Sequence, residues 1–355
     1  MSSQLHVFVP GSLSRRTGGT IYDARMISAL RDRGENVVVH ELDGTFPAAD
    51  ATARRALAAS LEAVPDGAVT ILDGLALGDS PELVEPHRER LCLLALVHHP
   101  LADEHGLDAG LQRRFLEHER RALAACHGVI VTSAFTGRRV AQLGVPAARV
   151  RVAEPGTDPA APATGPGPDA PPELLCVASL TPRKGQDVLV GALARLQDLP
   201  WHASLVGATD ADPAFARRVQ QQVAEAGLEQ RIHLTGACDG TVLANLYRHA
   251  TLFVLPSRYE GYGMVLTEAL ACGLPVISTT GGAIPDTVPD GAARLVPPGD
   301  ADTLAEALDH WLRDPRARAE AAAAAGTHAA SLPDWPQAAM LLAEAINELA
   351  LQDTN

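Results

Sequence analysis

The feature that most constrains the fold is an alternation of short apolar runs with longer stretches of helical spacing, which occurs twice along the 355 residues. These runs are continuously apolar rather than alternating, as expected for parallel strands covered by helices on both faces. The pattern predicts two α/β domains, each a doubly wound, Rossmann-like sheet. The predicted strands are Leu5–Val9, Val37–Leu42, Val69–Leu72, Leu91–His98, Val129–Thr132 and Val150–Val152, then Leu174–Ala178, Ala203–Val206, Ile232–Leu234, Leu252–Leu255, Val276–Ser278 and Leu295–Val296.

A stretch rich in proline and glycine separates the two series of strands, and neither a helix nor a sheet could use it. We therefore predict an N-terminal domain at 1–160, a linker at 161–173 and a C-terminal domain at 174–330. The last segment, 331–355, is expected to form a helix that packs back on the N-terminal domain. Because parallel sheets bind ligands at the carboxyl ends of their strands, we expect a cleft between the domains to hold the chemistry.

Charge and hydropathy narrow the classes of partner. The formal net charge of −14 argues against nucleic acid or an anionic membrane, both of which call for a basic face, and favours a small soluble acceptor. The N-terminus lacks the pattern of a signal peptide, and the longest apolar run, Leu91–Val97, is far shorter than a membrane helix. We predict a cytoplasmic protein without a transmembrane segment.

The most informative motif begins at Pro256 and reads Pro-Ser-Arg-Tyr-Glu-Gly-Tyr-Gly-Met-Val-Leu-Thr-Glu-Ala-Leu-Ala-Cys-Gly-Leu-Pro-Val. It follows a predicted strand and opens a helix, and its glycines allow the backbone to come close to a ligand phosphate. Two glutamates with seven residues between them, Gly-Tyr-Gly within that interval and Ala-Cys-Gly-Leu-Pro-Val after it resemble the donor-site signature of family 4 glycosyltransferases, which are retaining enzymes of the two-domain GT-B fold. Taken singly, such glutamates would be assigned to a helix N-terminus or a solvated face.

The resemblance implies a hexosyltransferase that uses a nucleoside diphosphate sugar. Glu260 would bind hydroxyls of the donor sugar, and Glu268 would accept hydrogen bonds from ribose hydroxyls. The backbone of the intervening loop would hold sugar and phosphate; its residues are Gly261, Tyr262, Gly263, Met264 and Val265.

A second motif, Cys176-Val-Ala-Ser-Leu-Thr-Pro-Arg-Lys-Gly, also joins a strand to a helix. In the family, a Lys-Gly pair in this turn neutralises the leaving diphosphate, and Lys184-Gly185 matches it. Many relatives carry an arginine where this chain has Ser179, so the resemblance leaves the second positive contact open, with Arg183 as a candidate. An exposed basic turn that serves solubility is the alternative.

Other candidates end predicted strands. Gly18 and Gly19 lie in a glycine-rich loop that matches neither the dinucleotide-binding nor the P-loop spacing, and that in the family faces the donor phosphates and the acceptor. His98 and His99 end a buried strand where family members keep a histidine near the reacting centre; we favour His99, while a structural or metal-binding pair remains open. Ser133 is an acceptor-side candidate, and strand ends at Gly207 and Leu234 are expected to hold the nucleobase through backbone groups.

Beyond the His98–His99 pair, no further His or Cys falls at metal-ligand spacing and no HExxH motif is present, so we predict neither a metal nor another cofactor. The expected partners are a nucleoside diphosphate sugar and a small-molecule, glycan or lipid acceptor. A non-catalytic nucleotide-sugar-binding partner of another transferase, or a GT-B epimerase, is the alternative function. The sequence does not determine whether the base is uracil or guanine, which sugar is transferred, the acceptor, the linkage or the oligomeric state.

Overall fold

The computed structural model describes residues 4–167 and 169–351, and the chain divides into two compact units. Domain 1 comprises the residues up to Gly156 together with those from Pro333 onward, and domain 2 comprises Thr157–Leu332. Within the described ranges, no helix combines the length and the apolar composition needed to cross a bilayer.

Domain 1 is a parallel sheet in the order β2-β1-β3-β4-β5-β6. The order reverses between β1 and β3, which defines the switch point where open α/β sheets bind ligands. The strands are β1 (Leu5–Pro10), β2 (Val37–Leu42), β3 (Val69–Asp73), β4 (Cys92–Val97), β5 (Gly128–Val131) and β6 (Val150–Val152). The helices of this part are α1 (Gly18–Asp32), α2 (Ala51–Glu62), α3 (Gly74–Leu77), α4 (Pro81–Val84), α5 (Ala109–Ala125) and α6 (Ala134–Gln142).

Domain 2 is a second parallel sheet, in the order β12-β11-β10-β7-β8-β9. This is the Rossmann order, and its switch point lies between β7 and β10. The strands are β7 (Glu173–Val177), β8 (His202–Val206), β9 (Ile232–Gly236), β10 (Leu252–Leu255), β11 (Val276–Thr279) and β12 (Ala293–Val296). The helices are α7 (Gln186–Leu193), α8 (Pro213–Glu225), α9 (Gly240–His249), α10 (Met264–Ala271), α11 (Ile284–Thr287), α12 (Ala301–Arg313) and α13 (Pro315–Ala329).

Continuous apolar strands are explained by cores on both faces of the domain 2 sheet. Because side chains alternate along a strand, Leu174 and Cys176 of β7 enter the core built with α7, α8 and α12, whereas Leu175 enters the opposite core with α10 and α11. Each sheet is therefore doubly wound, as the sequence predicted.

The chain ends with α14 (Trp335–Leu351), which packs on α1 and against β4, β5 and β6 of domain 1. The Leu349 side chain covers Gly128 so closely that a Cβ there would lie 2.7 Å from its methyl groups. A bulkier residue at position 128 would therefore force the Leu349 side chain to move.

The domain limits differ in detail from those predicted at 160, 161–173, 330 and 331. The division falls after Gly156, and the predicted linker belongs to domain 2 because it is bonded to it: the Ala163 amide donates to Cys272 O and the Thr164 amide to Arg248 O, both at 2.8 Å. Three parts of the predicted ranges lie outside the described residues, namely positions 1–3, 168 and 352–355.

Candidate functional site

Two loops meet at the switch point of domain 2, one after β7 and one after β10, and they carry the two motifs singled out in the sequence. The loops are joined by hydrogen bonds in both directions: the Arg258 amide donates to Arg183 O at 2.7 Å, and Arg183 Nη1 donates to Tyr259 O at 3.0 Å. The Arg258 side chain also donates to Pro182 O and forms two 3.2 Å contacts with Asp187. Arg258 and Asp187 were not predicted as site residues; they fix the basic turn to the glutamate loop.

Glu260 lies at the centre of this junction and is only 5% exposed. Its Oε1 accepts hydrogen bonds from Lys184 Nζ and Ser257 Oγ, both at 2.6 Å, and its Oε2 lies 3.5 Å from Arg183 Nη1. Burial by itself would raise the pKa of Glu260, but the charges of Lys184 and Arg183 and the hydrogen bonds from Lys184 and Ser257 outweigh it and hold the pKa below its usual value. Glu260 is thus an ionised carboxylate in a fixed orientation.

Within this cluster the charges of Lys184, Arg183 and Glu260 sum to +1. A compact positive site of this kind at the carboxyl ends of parallel strands suits an anionic ligand. Lys184 is also the only lysine in the chain, whose other 28 basic residues are arginines. A lone lysine among arginines marks this position in the sequence.

Glycine backbones shape the same loops. Gly185 has φ +70°, and a Cβ there would lie 2.2 Å from Pro256 O, so the basic turn packs directly on the loop after β10. Gly282, with φ +66°, lies against Glu260: a Cβ would be 2.2 Å from Glu260 O, which accepts a 2.8 Å hydrogen bond from the Ala283 amide. Glycine is required at both positions because the backbones approach too closely for a side chain.

The remaining predicted donor-site residues of domain 2 lie in or after the loops that follow β8 and β10, except Leu234, which was predicted at a strand end but lies in the middle of β9 because that strand continues to Gly236. Gly263, with φ +93°, caps α10, which Met264 and Val265 begin, and Gly261 and Tyr262 precede it in the loop. Glu268 lies on α10, where its Oε2 accepts a 2.8 Å hydrogen bond from the Tyr247 hydroxyl, a partner that sequence reasoning missed. Gly207 follows β8 and lies against β7, where a Cβ would be 2.0 Å from Ala178 O, and Leu234 lies within β9.

Domain 1 has its own cluster at its switch point, and the two histidines there differ. His98 Nε2 lies 3.2 Å from Asp23 Oδ1 and 3.4 Å from Asp73 Oδ2, and its ring packs on Gly19, which the structure places in the first turn of α1 rather than in a loop, so closely that a Cβ there would be 3.2 Å from the ring. His99 instead faces Glu104, with Nε2 3.3 Å from Oε2. His98 is therefore the histidine that contacts the predicted phosphate-facing loop, although the sequence favoured His99.

Two other predicted residues of domain 1 have structural environments. Ser133 is the N-cap of α6, and its Oγ accepts the Thr136 amide at 3.0 Å. Gly18 is the first residue of α1, next to the N-cap Thr17. Asp23, Asp73 and His98 are also the residues, within the described ranges, that place three possible metal ligand atoms within 4.8 Å of one another.

Comparison with known proteins assigns the family. The family described as Glycosyl transferases group 1 matches residues 161–328, and Glycosyltransferase Family 4 matches residues 83–161. The chain belongs to the family 4 glycosyltransferases, and its fold is GT-B.

Relatives of known name agree with this family. The chain is 32% identical over 227 residues to the GDP-mannose-dependent alpha-(1-6)-phosphatidylinositol monomannoside mannosyltransferase of Mycolicibacterium smegmatis, covering 58% of each chain. It is 29% identical over 272 residues to the D-inositol 3-phosphate glycosyltransferase of Thermobifida fusca, covering 74% of this chain and 57% of that one. The aligned part thus spans a little over half of the length of these two relatives.

Solved structures show the same fold. Sucrose-phosphate synthase from Thermosynechococcus elongatus superposes with a TM-score of 0.82 at 23% identity, covering 99% of this chain and 100% of that one. The HepE protein of Anabaena in complex with UDP-glucose superposes with a TM-score of 0.74 at 19% identity, covering 97% and 99%.

Proposed function

We propose that this protein is a retaining glycosyltransferase that transfers a hexose from a UDP- or GDP-linked sugar to an acceptor hydroxyl without a bound metal. The observation that carries the proposal is the Arg183–Glu260–Lys184 cluster, which joins the two loops of the domain 2 switch point and whose own charges sum to +1. Two similar proteins support the donor class: one relative is named as GDP-mannose-dependent, and HepE, which has the same fold, was solved with UDP-glucose.

In the proposed reaction Lys184 binds an oxygen of the donor diphosphate, with Arg183 beside it. As the bond between the sugar anomeric carbon and the diphosphate breaks, negative charge grows on the leaving phosphate, and two fixed cations stabilise it more than they stabilise the intact donor. They supply the positive charge that a divalent ion provides in other transferases. Arg183 in this role compensates for the serine at position 179.

Glu260 has a different part in the proposal. Because it is already ion-paired and hydrogen-bonded, its carboxylate is suited to accept hydrogen bonds from sugar hydroxyls and not to attack carbon. Retention of configuration then requires the acceptor hydroxyl to attack on the face from which the diphosphate leaves. The new bond joins the acceptor oxygen to the anomeric carbon, and a leaving-phosphate oxygen takes the acceptor proton.

Donor binding tests the proposal directly. Chelator-treated protein is titrated calorimetrically with UDP, GDP and ADP, in parallel with Lys184→Met and with Arg195→Met, whose side chain pairs with exposed Asp302 elsewhere in domain 2. We expect one diphosphate to bind selectively, Lys184→Met to weaken that binding at least tenfold, and the control to bind normally.

The single lysine allows an independent readout. Reductive methylation with ¹³C-formaldehyde labels Lys184 and the N-terminal amine, so the lysine methyl resonance reports on one known side chain. It should shift when the selected diphosphate is added. Absence of diphosphate binding would refute the donor site, and binding without sugar transfer to any acceptor would favour the non-catalytic alternative.

A further inference from the structure

The switch point of domain 1 holds more buried charge than an ordinary ion pair requires. Asp23 and Asp73 are 3% and 2% exposed, and both face the same nitrogen of one histidine, His98 Nε2. Burying a carboxylate costs several kcal/mol unless it is compensated, so a second buried aspartate on the same imidazole calls for an explanation. One carboxylate would be enough to hold a structural histidine.

The location of the cluster suggests the explanation. Asp73 ends β3, His98 follows β4, and Asp23 lies on α1, the helix that follows β1 and the glycine-rich loop. These elements surround the point where the strand order reverses between β1 and β3. In an open α/β sheet this is where a ligand binds, so the cluster is placed at a ligand-binding edge and not in the core.

We infer that Asp23 and Asp73 are positioning residues that hold His98 as an imidazolium with a fixed ring orientation, leaving its Nδ1–H to donate to a bound ligand. The inference rests on the proposed function only for the identity of that ligand, which would be a sugar hydroxyl of the donor or the acceptor. The contacts that position the ring are the same whichever ligand binds.

The ring is held from several sides. Asp73 Oδ1 accepts the Leu75 amide at 2.7 Å, which fixes that carboxylate and directs Oδ2 to His98. The Tyr22 ring meets the imidazole edge-on at 5.2 Å between centroids, while the Tyr22 hydroxyl donates to Ala153 O at 2.9 Å. Few other orientations of the imidazole are compatible with these contacts.

The backbone of His98 is fixed as well, because its carbonyl accepts hydrogen bonds from the Thr132 and Thr136 hydroxyls at 3.4 and 3.3 Å. The hydrogen bonds of the ring itself, within residues 4–167 and 169–351, use Nε2. Nδ1 is therefore the nitrogen available to a ligand, and the His98 side chain keeps 18% of its surface exposed.

Electrostatics agree with this geometry. Burial alone would lower the pKa of His98, but Asp23 and Asp73 outweigh it and raise the pKa to about 10. Among residues 4–167 and 169–351, the charged and titratable groups in contact with the imidazole are these two aspartates and Tyr22, whose own pKa lies well above its usual value because it is buried. At neutral pH both imidazole nitrogens then carry protons, so Nδ1 is a donor and not an acceptor.

The test is a side-chain ¹⁵N titration of His98 in protein labelled at histidine, with the resonance assigned by its loss in His98→Gln. No substrate is present, so the result can be read even if the proposed transferase activity fails. We expect wild-type His98 to be doubly protonated at pH 8, and to lose its proton at lower pH in Asp23→Asn and in Asp73→Asn. Neutral His98 at pH 8 in the wild-type protein would overturn the inference without need of a variant.

A matched control separates positioning from general damage to the domain. Asp79 is another buried aspartate of domain 1, bonded to His118 and Arg114, and Asp79→Asn should leave the His98 titration unchanged. In a transfer assay, Asp23→Asn and Asp73→Asn should lower kcat at least tenfold with a smaller change in KM, while Asp79→Asn keeps both. A His98 titration that the Asn variants do not change would refute the positioning role.

The same cluster has the ligand atoms for a divalent cation, so the competing outcome is measured too. Chelated protein is titrated with Zn²⁺ and with Mn²⁺. Binding of one equivalent that disappears in both Asp23→Asn and His98→Gln would show that a metal, and not a proton, balances the two carboxylates, and would overturn the inference. Absence of such binding supports it.

Discussion

Removal of the Lys184 charge is the most informative perturbation of the donor site, because it should affect stability and function in separable ways. Lys184→Met keeps much of the volume and deletes the 2.6 Å ion pair with Glu260. Breaking a buried pair by removing one partner costs about 3–5 kcal/mol. Because Arg183 and Ser257 still contact the carboxylate, we expect Lys184→Met to lower the free energy of unfolding by about 2–3 kcal/mol, at or below the lower end of that range.

The reverse deletion should cost less. In Glu260→Gln the remaining cations are 17% and 20% exposed and can turn toward water, and the amide keeps an acceptor for the Ser257 hydroxyl. We expect Glu260→Gln to lower the free energy of unfolding by about 1 kcal/mol. The double variant should then be more stable than the sum of the two losses, with a coupling energy of about 1–3 kcal/mol for residues in direct contact.

Two assays test these numbers. Urea unfolding of the four proteins in the cycle gives the coupling energy, and calorimetric titration with the selected diphosphate gives binding. Lys184→Met should lower turnover by about 10²–10³, the usual effect of losing one donor to a developing negative charge. Lys184→Arg serves as the matched control for charge: it should recover much of the stability and little of the turnover, because a planar guanidinium cannot replace a compact ammonium. Zero coupling together with wild-type turnover in Lys184→Met would refute the assignment of this cluster as the donor site.

Two further predictions concern elements that support the sites. Glu119 is 1% exposed and accepts a hydrogen bond from the Leu101 amide with both carboxylate oxygens, and burial raises its pKa to about 8. Between pH 4.5, the ordinary pKa of a glutamate, and about pH 8, the folded protein keeps a proton on Glu119 that the unfolded chain has released. The free energy of unfolding should therefore fall as the pH rises through this range. Thermal unfolding across this range should show a decline, by up to a few kcal/mol, that has the same size in wild-type protein and in the exposed control Glu117→Gln and is smaller in Glu119→Gln. A decline of equal size in Glu119→Gln would exclude Glu119 as a source. Gly282→Ala should weaken diphosphate binding at least tenfold, because its Cβ would displace the Glu260 backbone. The control Gly227→Ala has nearly the same φ of +67° but nothing within 4 Å, so it should lower the free energy of unfolding by only about 1–2 kcal/mol and leave binding unchanged. Equal effects of the two substitutions on binding would refute the role of the close approach.

Much of the architecture could be predicted from the sequence because it depends on local patterns. Continuous apolar runs separated by helical stretches indicate parallel strands with two covered faces, and both sheets have that form. The donor motifs could also be located, because a strand followed by glycines and a helix determines where a loop lies on the sheet. The position of Lys184 near Glu260 was implied only through the family resemblance, since the two residues are 76 positions apart.

Only the tertiary structure shows the order of the strands and the contacts between residues far apart in the sequence, because hydrophobic periodicity is a local pattern. Strand order is a non-local property, so only the fold shows that β7 and β10 are neighbours and that their loops exchange hydrogen bonds through Arg258. The same holds in domain 1, where two adjacent histidines have different carboxylate partners. His98 contacts two buried aspartates from distant segments, whereas His99 contacts the more exposed Glu104. Burial and charge pairing set the protonation of such groups, and both arise only when strands far apart in the sequence come together.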